Sequence, residues 1–172
     1  MEQLDFDGSE RYCVFQCHNQ WYGISALDVQ GVSPRPEIRS VPNSDPVLTG
    51  VIHLHNNFMP VISLRALAQI NYEHDSDSQQ QLLTLPGPPG PWSILIDQVI
   101  SLAPLEVSIS SFSNANDQWS KVLSGSASYR NQVVQILDAK ALYQYADSML
   151  KRFWDNGVSA EAELLVLSLI HI

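Results

Sequence analysis

The sequence predicts a mainly β protein made of two similar units and closed by a C-terminal helix. Three observations carry this. First, the stretch GVIHLHNNFMPVISLRAL, Gly50 to Leu67, aligns without a gap on GSASYRNQVVQILDAKAL, Gly125 to Leu142. Gly50 meets Gly125, Asn56 meets Asn131, Arg65 meets Lys140 and Leu67 meets Leu142, and the apolar run after each turn keeps its spacing. Second, WYGISALDVQGVSP from Trp21 is echoed by WSILIDQVISLAP from Trp92, with one residue of slippage. Two echoes in the same order are the mark of a duplicated β-unit. Third, short β-branched and aromatic runs separated by turn residues recur along the chain, the pattern of hairpins.

Residues 1–10 read as an acidic tail. Tyr12 to Cys17, a turn at His18-Asn19 and Trp21 to Ile24 read as the first hairpin. Ala26 to Val32 reads as a helical turn leading into a strand, after which Pro34, Pro36 and Pro42 interrupt regular structure. Val47 to His53 and Phe58 to Leu64 read as a hairpin around His55-Asn56-Asn57. Pro60 lacks an N–H to donate, which predicts an edge strand or a bulge. Arg65 to Ile70 reads as a short helix, and the polar Tyr72 to Gln81 as the seam between the copies.

Leu82 to Leu85 and Ser93 to Ile96 flank PGPPGPW, a hairpin loop or, in the competing reading, a polyproline ligand. Gln98 to Ile109 alternates loosely, Ser110 to Ser120 reads as a loop, and Leu123 to Tyr129 with Val133 to Leu137 repeats the later hairpin. Asp138 suits the N-cap of a helix from Ala139 to about Trp154. Leu142, Tyr145, Ala146, Met149, Leu150 and Phe153 then share one apolar face. The last six residues, LSLIHI, read as the translation of a sequencing adapter, or else as an apolar terminal helix in need of a partner surface.

The chain has 172 residues and a formal net charge of −9. That size suits one domain, or two small lobes sharing a core. The charge argues against binding to nucleic acid, which needs clustered Lys and Arg, and against adsorption to anionic membranes. No apolar run reaches transmembrane length, and the N-terminus lacks a signal-peptide core. Cys13 and Cys17 sit four apart on one strand, about 13 Å by strand rise, and read as reduced packing residues. A cytoplasmic location follows as an expectation.

No P-loop, dinucleotide-binding, nucleophile-elbow or zinc-protease motif is present. His53 and His55 alternate on one strand and could begin a metal site, but no third ligand stands at a recognisable spacing. Asp97 and Asp138 could be paired as acid and base, yet a cap and a strand end account for them. The residues therefore indicate neither enzyme, nor cofactor, nor metal. They indicate a surface for partners.

YCVF, WYGI with Val29 and Val32, Val41-Pro42, GVIHLHNNFMPVISLR, ILIDQV, Gly125 and VVQILDAKAL together resemble the CheW-like domain, the adaptor module of bacterial chemosensory arrays. The resemblance covers about Tyr12 to Tyr143. It implies two intertwined five-stranded SH3-like barrels with a C-terminal α-helix. Within a domain over 11–154, lobe one would span about 20–72 and lobe two about 82–138 plus strand 12–17, with the helix at 139–154 and a tail at 155–172. It also implies an adaptor that couples the cytoplasmic tip of methyl-accepting chemoreceptors to the regulatory domain of a CheA-type histidine kinase. Carried onto this chain, the receptor groove would use Val29, Val32, Leu54 and Val99, and the kinase interface Gly50, His55 and Asn56. Several positions depart from the family pattern. The usual arginine and glycine of the N-L-R-G turn are His55 and Asn56, the usual glutamate after Val29 is Gly31, and the usual aspartate of P-V-x-D-L-R is Ser63. Two other readings stand beside this one: a CheW-type docking domain of a longer regulator, and a small metal- or ligand-binding β-protein using His53 and His55.

Overall fold

The computed structural model describes residues 10–42, 45–54, 57–68, 79–109 and 119–155. Ten strands and two helices follow in order: β1 (Arg11–Cys17), β2 (Gln20–Ser25), β3 (Gly31–Pro34), β4 (Leu48–Leu54), β5 (Asn57–Ser63), α1 (Leu64–Leu67), β6 (Gln81–Leu85), β7 (Trp92–Ile96), β8 (Gln98–Pro104), β9 (Leu123–Tyr129), β10 (Gln132–Leu137) and α2 (Ala139–Asp155). Short 3-10 turns occupy Ala26–Asp28 and Trp119–Val122.

The strands form two five-stranded sheets, ordered β8-β1-β2-β10-β9 and β3-β6-β7-β5-β4. These orders are the same once β1 to β5 are matched with β6 to β10. Each sheet holds one parallel pair, β2 with β10 and β5 with β7, at the matched place. The duplication read from the sequence is thus a duplication of topology.

Sheet membership does not follow the division into lobes at 20–72 and 82–138 plus 12–17. β2 lies in the sheet of β9 and β10, and β6 and β7 lie in the sheet of β3 to β5. Each copy lends its first two strands to the other copy's last three. The crossing is abrupt, since Asp97 alone separates β7 in one sheet from β8 in the other. Hydrophobic alternation specifies which face of a strand is buried, but not which strand lies alongside it.

The sheets are open, which corrects the expected closed barrels. Each is spanned at its mouth by one isolated bridge, Arg39 to Val51 in one sheet and Ser108 to Ser126 in the other. Three apolar clusters result. The largest lies between the sheets and includes Phe15, Tyr22, Ile24, Leu83, Ile94 and Leu142. A small one fills the curl of each sheet: Ile52, Met59, Val61, Leu82 and Leu95 in one, and Val14, Ala127, Val134 and Ile136 in the other. Met59 and Val134, and Val61 and Ile136, are matched positions of the repeat.

Local chemistry explains the elements. His18 and Asn19 (φ 51° and 63°), like Arg130 and Asn131 (φ 50° and 63°), have positive φ at both turn positions. That pair of angles fits a two-residue type I′ hairpin turn, whose twist matches the strands. The expected His55-Asn56 turn lies outside the described residues, as do the seam at 72–78, the Ser-rich segment at 110–118 and the chain after 155. PGPPGP is the loop of the β6–β7 hairpin, where the Trp92 indole N–H donates to the Pro86 carbonyl at 3.2 Å.

Pro60 corrects another expectation, because β5 is an internal strand. Val51 exchanges both backbone bonds with Arg39, so its polar groups point away from β5. Pro60, opposite Val51, therefore turns its nitrogen toward β7, whose ladder begins only at Val61. No ladder bond is lost.

Both helices start at matched caps. The Ser63 hydroxyl accepts from Ala66 N at 3.2 Å, and the Asp138 carboxylate accepts from Ala141 N at 3.0 Å. Ser63, where the resemblance implies an aspartate, supplies the same capping chemistry. α2 buries Leu142, Tyr145, Ala146 and Leu150, and burying each leucine contributes about 2 kcal/mol.

Candidate interaction surfaces

Two features of the fold position the candidate residues: the mouths of the sheets and the crossing at Asp97. At each mouth a glycine lies beneath the bridging segment. A Cβ on Gly50 would stand 2.3 Å from the Arg39 carbonyl oxygen and 2.7 Å from Ile38 Cγ2. A Cβ on Gly125 would stand 2.6 Å from the Ser108 carbonyl oxygen and 2.8 Å from Val107 Cγ1. Glycine is demanded there because one backbone crosses closely over another. Gly50 is thus buried under its own chain, and any partner reaching this mouth meets the 38–39 segment first. Gly31 differs, since nothing lies within 4 Å of its Cβ direction. The glutamate that the resemblance implies would meet no neighbour at its Cβ.

At the crossing, Asp97 joins three elements. One carboxylate oxygen accepts from the His18 backbone N–H at 2.7 Å, and the other from Arg65 Nη2 at 2.6 Å. Its own N–H donates to the Gln16 carbonyl at 3.0 Å. The β1–β2 turn, the β7–β8 crossing and α1 are therefore pinned together, which ties one sheet to the other. Asp138 serves α2, so the two aspartates have separate structural tasks.

The predicted groove residues occupy different environments. Val29 and Val99 are half-buried and pack against the central cluster. The Val99 N–H also donates to the Gln81 side-chain carbonyl at 2.7 Å. Val32 is 45% exposed on the edge strand β3. It lines a groove of about 560 Å³ between β3 and the end of β4. Leu54 ends β4, and its side chain, with His55 and Asn56, lies outside the described residues. The structure thus joins Val29 and Val99 through the core and sets Val32 on an open groove. That groove had no signal in the sequence, because it forms where the two ends of a curled sheet face each other.

His53 is exposed at this end of β4, its ring 5.1 Å from that of Phe58. Among the described residues, no three His, Cys, Asp or Glu side chains gather as a metal site would require. Cys13 and Cys17 are buried and form no disulfide, and burial pushes the Cys13 thiol up to about 11. Burial, and then the charges of Asp138 and Glu10, raise the Asp28 carboxyl above its ordinary range. At the far hairpin Arg130 lies over the Tyr129 ring, 4.9 Å from its centre.

The CheW-like domain family model matches residues 11–147, from the first residue of β1 into α2. The chain belongs to the CheW-like domain family. CheW-like domains are non-catalytic scaffold and coupling modules of chemotaxis. The fold is similar to the crystal structure of the scaffolding protein TtCheW from Thermoanaerobacter tengcongensis. The TM-score is 0.70 at 17% identity, covering 83% of this chain and 93% of that one. No curated protein matches the sequence. In this CheW-like domain, no helix among the described residues is long and apolar enough to cross a membrane.

Proposed function

We propose that this CheW-like protein is a cytoplasmic adaptor that couples the tips of methyl-accepting chemoreceptors to the regulatory domain of a CheA-type histidine kinase. The observation that carries the reading is the extent of the family match. It runs over 11–147 and so takes in both exchanged sheets rather than one hairpin. An adaptor of this kind acts by holding two partners at fixed surfaces, without chemistry of its own. The sheet edge near Gly50, where the 38–39 segment covers that glycine, and the His55-Asn56 turn belong to the kinase side. Val29, Val32, Leu54 and Val99 belong to the receptor side. Of these, Val32 is the cleanest probe, because Val29 and Val99 also pack on the core and a charge there would disturb the fold.

The test is binding of the purified chain to the CheW-like regulatory domain of a histidine kinase, and to a receptor signalling tip, from the same genome. Micromolar binding to the kinase domain supports the adaptor, and binding to no kinase of that genome refutes it. Val32→Asp is expected to lose receptor binding and to keep its urea midpoint. An unchanged receptor affinity in that variant removes Val32 from the receptor surface.

A further inference from the structure

The groove between β3 and β4 has polar backbone groups on both of its walls. The Arg35 N–H donates to the Gln80 carbonyl at 2.9 Å, and Pro34, which has no N–H, is paired with Gln81. The alternation of an antiparallel ladder then turns the N–H and C=O of Val32 away from β6 and into the groove. On the opposite wall, Val51 exchanges bonds with Arg39 at 2.8 and 2.9 Å. The same alternation turns the N–H and C=O of His53 into the groove, past the end of that bridge. β3 pairs with β6, and β4 with β5, so each strand presents one edge to this space.

The floor is apolar, made by Ile52 and Met59, with Pro36 on the rim. Among the described residues that line it, Glu37 is the one carboxylate and neither Lys nor Arg takes part. A volume of about 560 Å³ suits a few residues of extended chain. An exposed strand edge above an apolar floor is the arrangement into which an extended peptide adds as a further strand.

We propose that this groove takes an extended segment of a partner protein, which adds as a strand between β3 and β4. The segment would have apolar side chains at alternate positions and a Lys or Arg facing Glu37. Backbone pairing to Val32 and His53 would set its direction and register. Alternate side chains would reach Ile52 and Met59, and the cation would be drawn by Glu37 and by the net charge of −9. This goes beyond the adaptor reading. It concerns a short extended segment and is tested without receptor or kinase, so either can fail alone.

The probes are acetylated, amidated hexapeptides alternating Val or Ile with Thr and carrying one terminal Lys. Companion peptides carry Glu in place of Lys, or N-methyl groups on alternate amides. Amide shifts of the full-length, nitrogen-labelled chain are followed during titration. Saturable shifts at Val32 and His53 are expected, lost with the N-methylated peptides and weakened with the Glu peptides. Val32→Pro removes only an N–H that faces the groove, so the fold should persist. It should weaken the Lys peptides about tenfold, the scale of one lost hydrogen bond with some crowding. Val32→Thr keeps the amide and should bind as the parent does. The proposal is overturned if no peptide shifts Val32 or His53 at millimolar concentration, if the N-methylated peptides bind equally well, or if the bound peptide is helical.

Discussion

Replacing Gly50 by alanine tests how the mouth of a sheet is held. The added Cβ would lie 2.3 Å from the Arg39 carbonyl oxygen, 2.8 Å from its carbon and 2.7 Å from Ile38 Cγ2. Two of these are backbone atoms, so no rotamer change relieves the contact. The 38–39 segment has to lift from β4, which breaks the bonds Arg39 N to Val51 O and Val51 N to Arg39 O, at 2.9 and 2.8 Å. Two such bonds contribute about 1 kcal/mol each. Overpacking adds about 1 to 3 kcal/mol, for a total of about 3 to 5 kcal/mol, a large share of a domain's stability. Gly125→Ala meets the matched contacts at 2.6 and 2.8 Å and should lose somewhat less. Gly31→Ala meets nothing within 4 Å and should stay within about 0.5 kcal/mol of the parent. Urea unfolding of the full chain, followed by tryptophan fluorescence, gives the three midpoints. The reasoning is refuted if Gly50→Ala is as stable as Gly31→Ala, because the bridge would then not hold the mouth.

Three other outcomes follow from the geometry. Asp97→Ala removes the partner of Arg65 Nη2 and of the His18 N–H, and should cost about 2 to 3 kcal/mol in urea unfolding. Asp97→Asn keeps an acceptor for His18 and should cost less; equal losses would mean that the turn bond contributes nothing. The Asp28 carboxyl is raised, so the folded protein holds that proton more tightly than the unfolded chain does. Stability is then lost as pH rises from the ordinary 3.8 through the raised value. Asp28→Asn should melt higher than the parent near pH 7 and equal to it near pH 3, and a gap that does not change with pH contradicts the assignment. With its thiol pushed up to about 11 and buried, Cys13 should react with thiol reagents only as the protein unfolds. Rapid labelling with native circular dichroism retained would show an open site.

What the chain reveals on reading is local. The β1–β2, β4–β5, β6–β7 and β9–β10 hairpins lie within a residue or two of their expected bounds, because turn residues and alternation act over a few positions. The Asp138 cap and the apolar face of α2 from Leu142 to Leu150 were equally legible, being set by spacing along one helix, while the side chain of Phe153 lies outside the described residues. The repeat disclosed that two units exist, and the family resemblance disclosed that they intertwine. The short helix expected over Arg65 to Ile70 is Leu64–Leu67, starting one residue earlier because Ser63 is its cap, and residues 69–70 lie outside the described residues.

The amino-acid sequence by itself determined the strands, the turns, the caps and the match between Gly50 and Gly125. Only the tertiary structure decided that β2 pairs with β10 and β7 with β5, that Asp97 pins both sheets, and that Val32 and His53 face one groove. Periodicity tells which side of a strand is apolar. Pairing, closure and grooves depend on where distant edges meet, and that is fixed by packing of the whole chain.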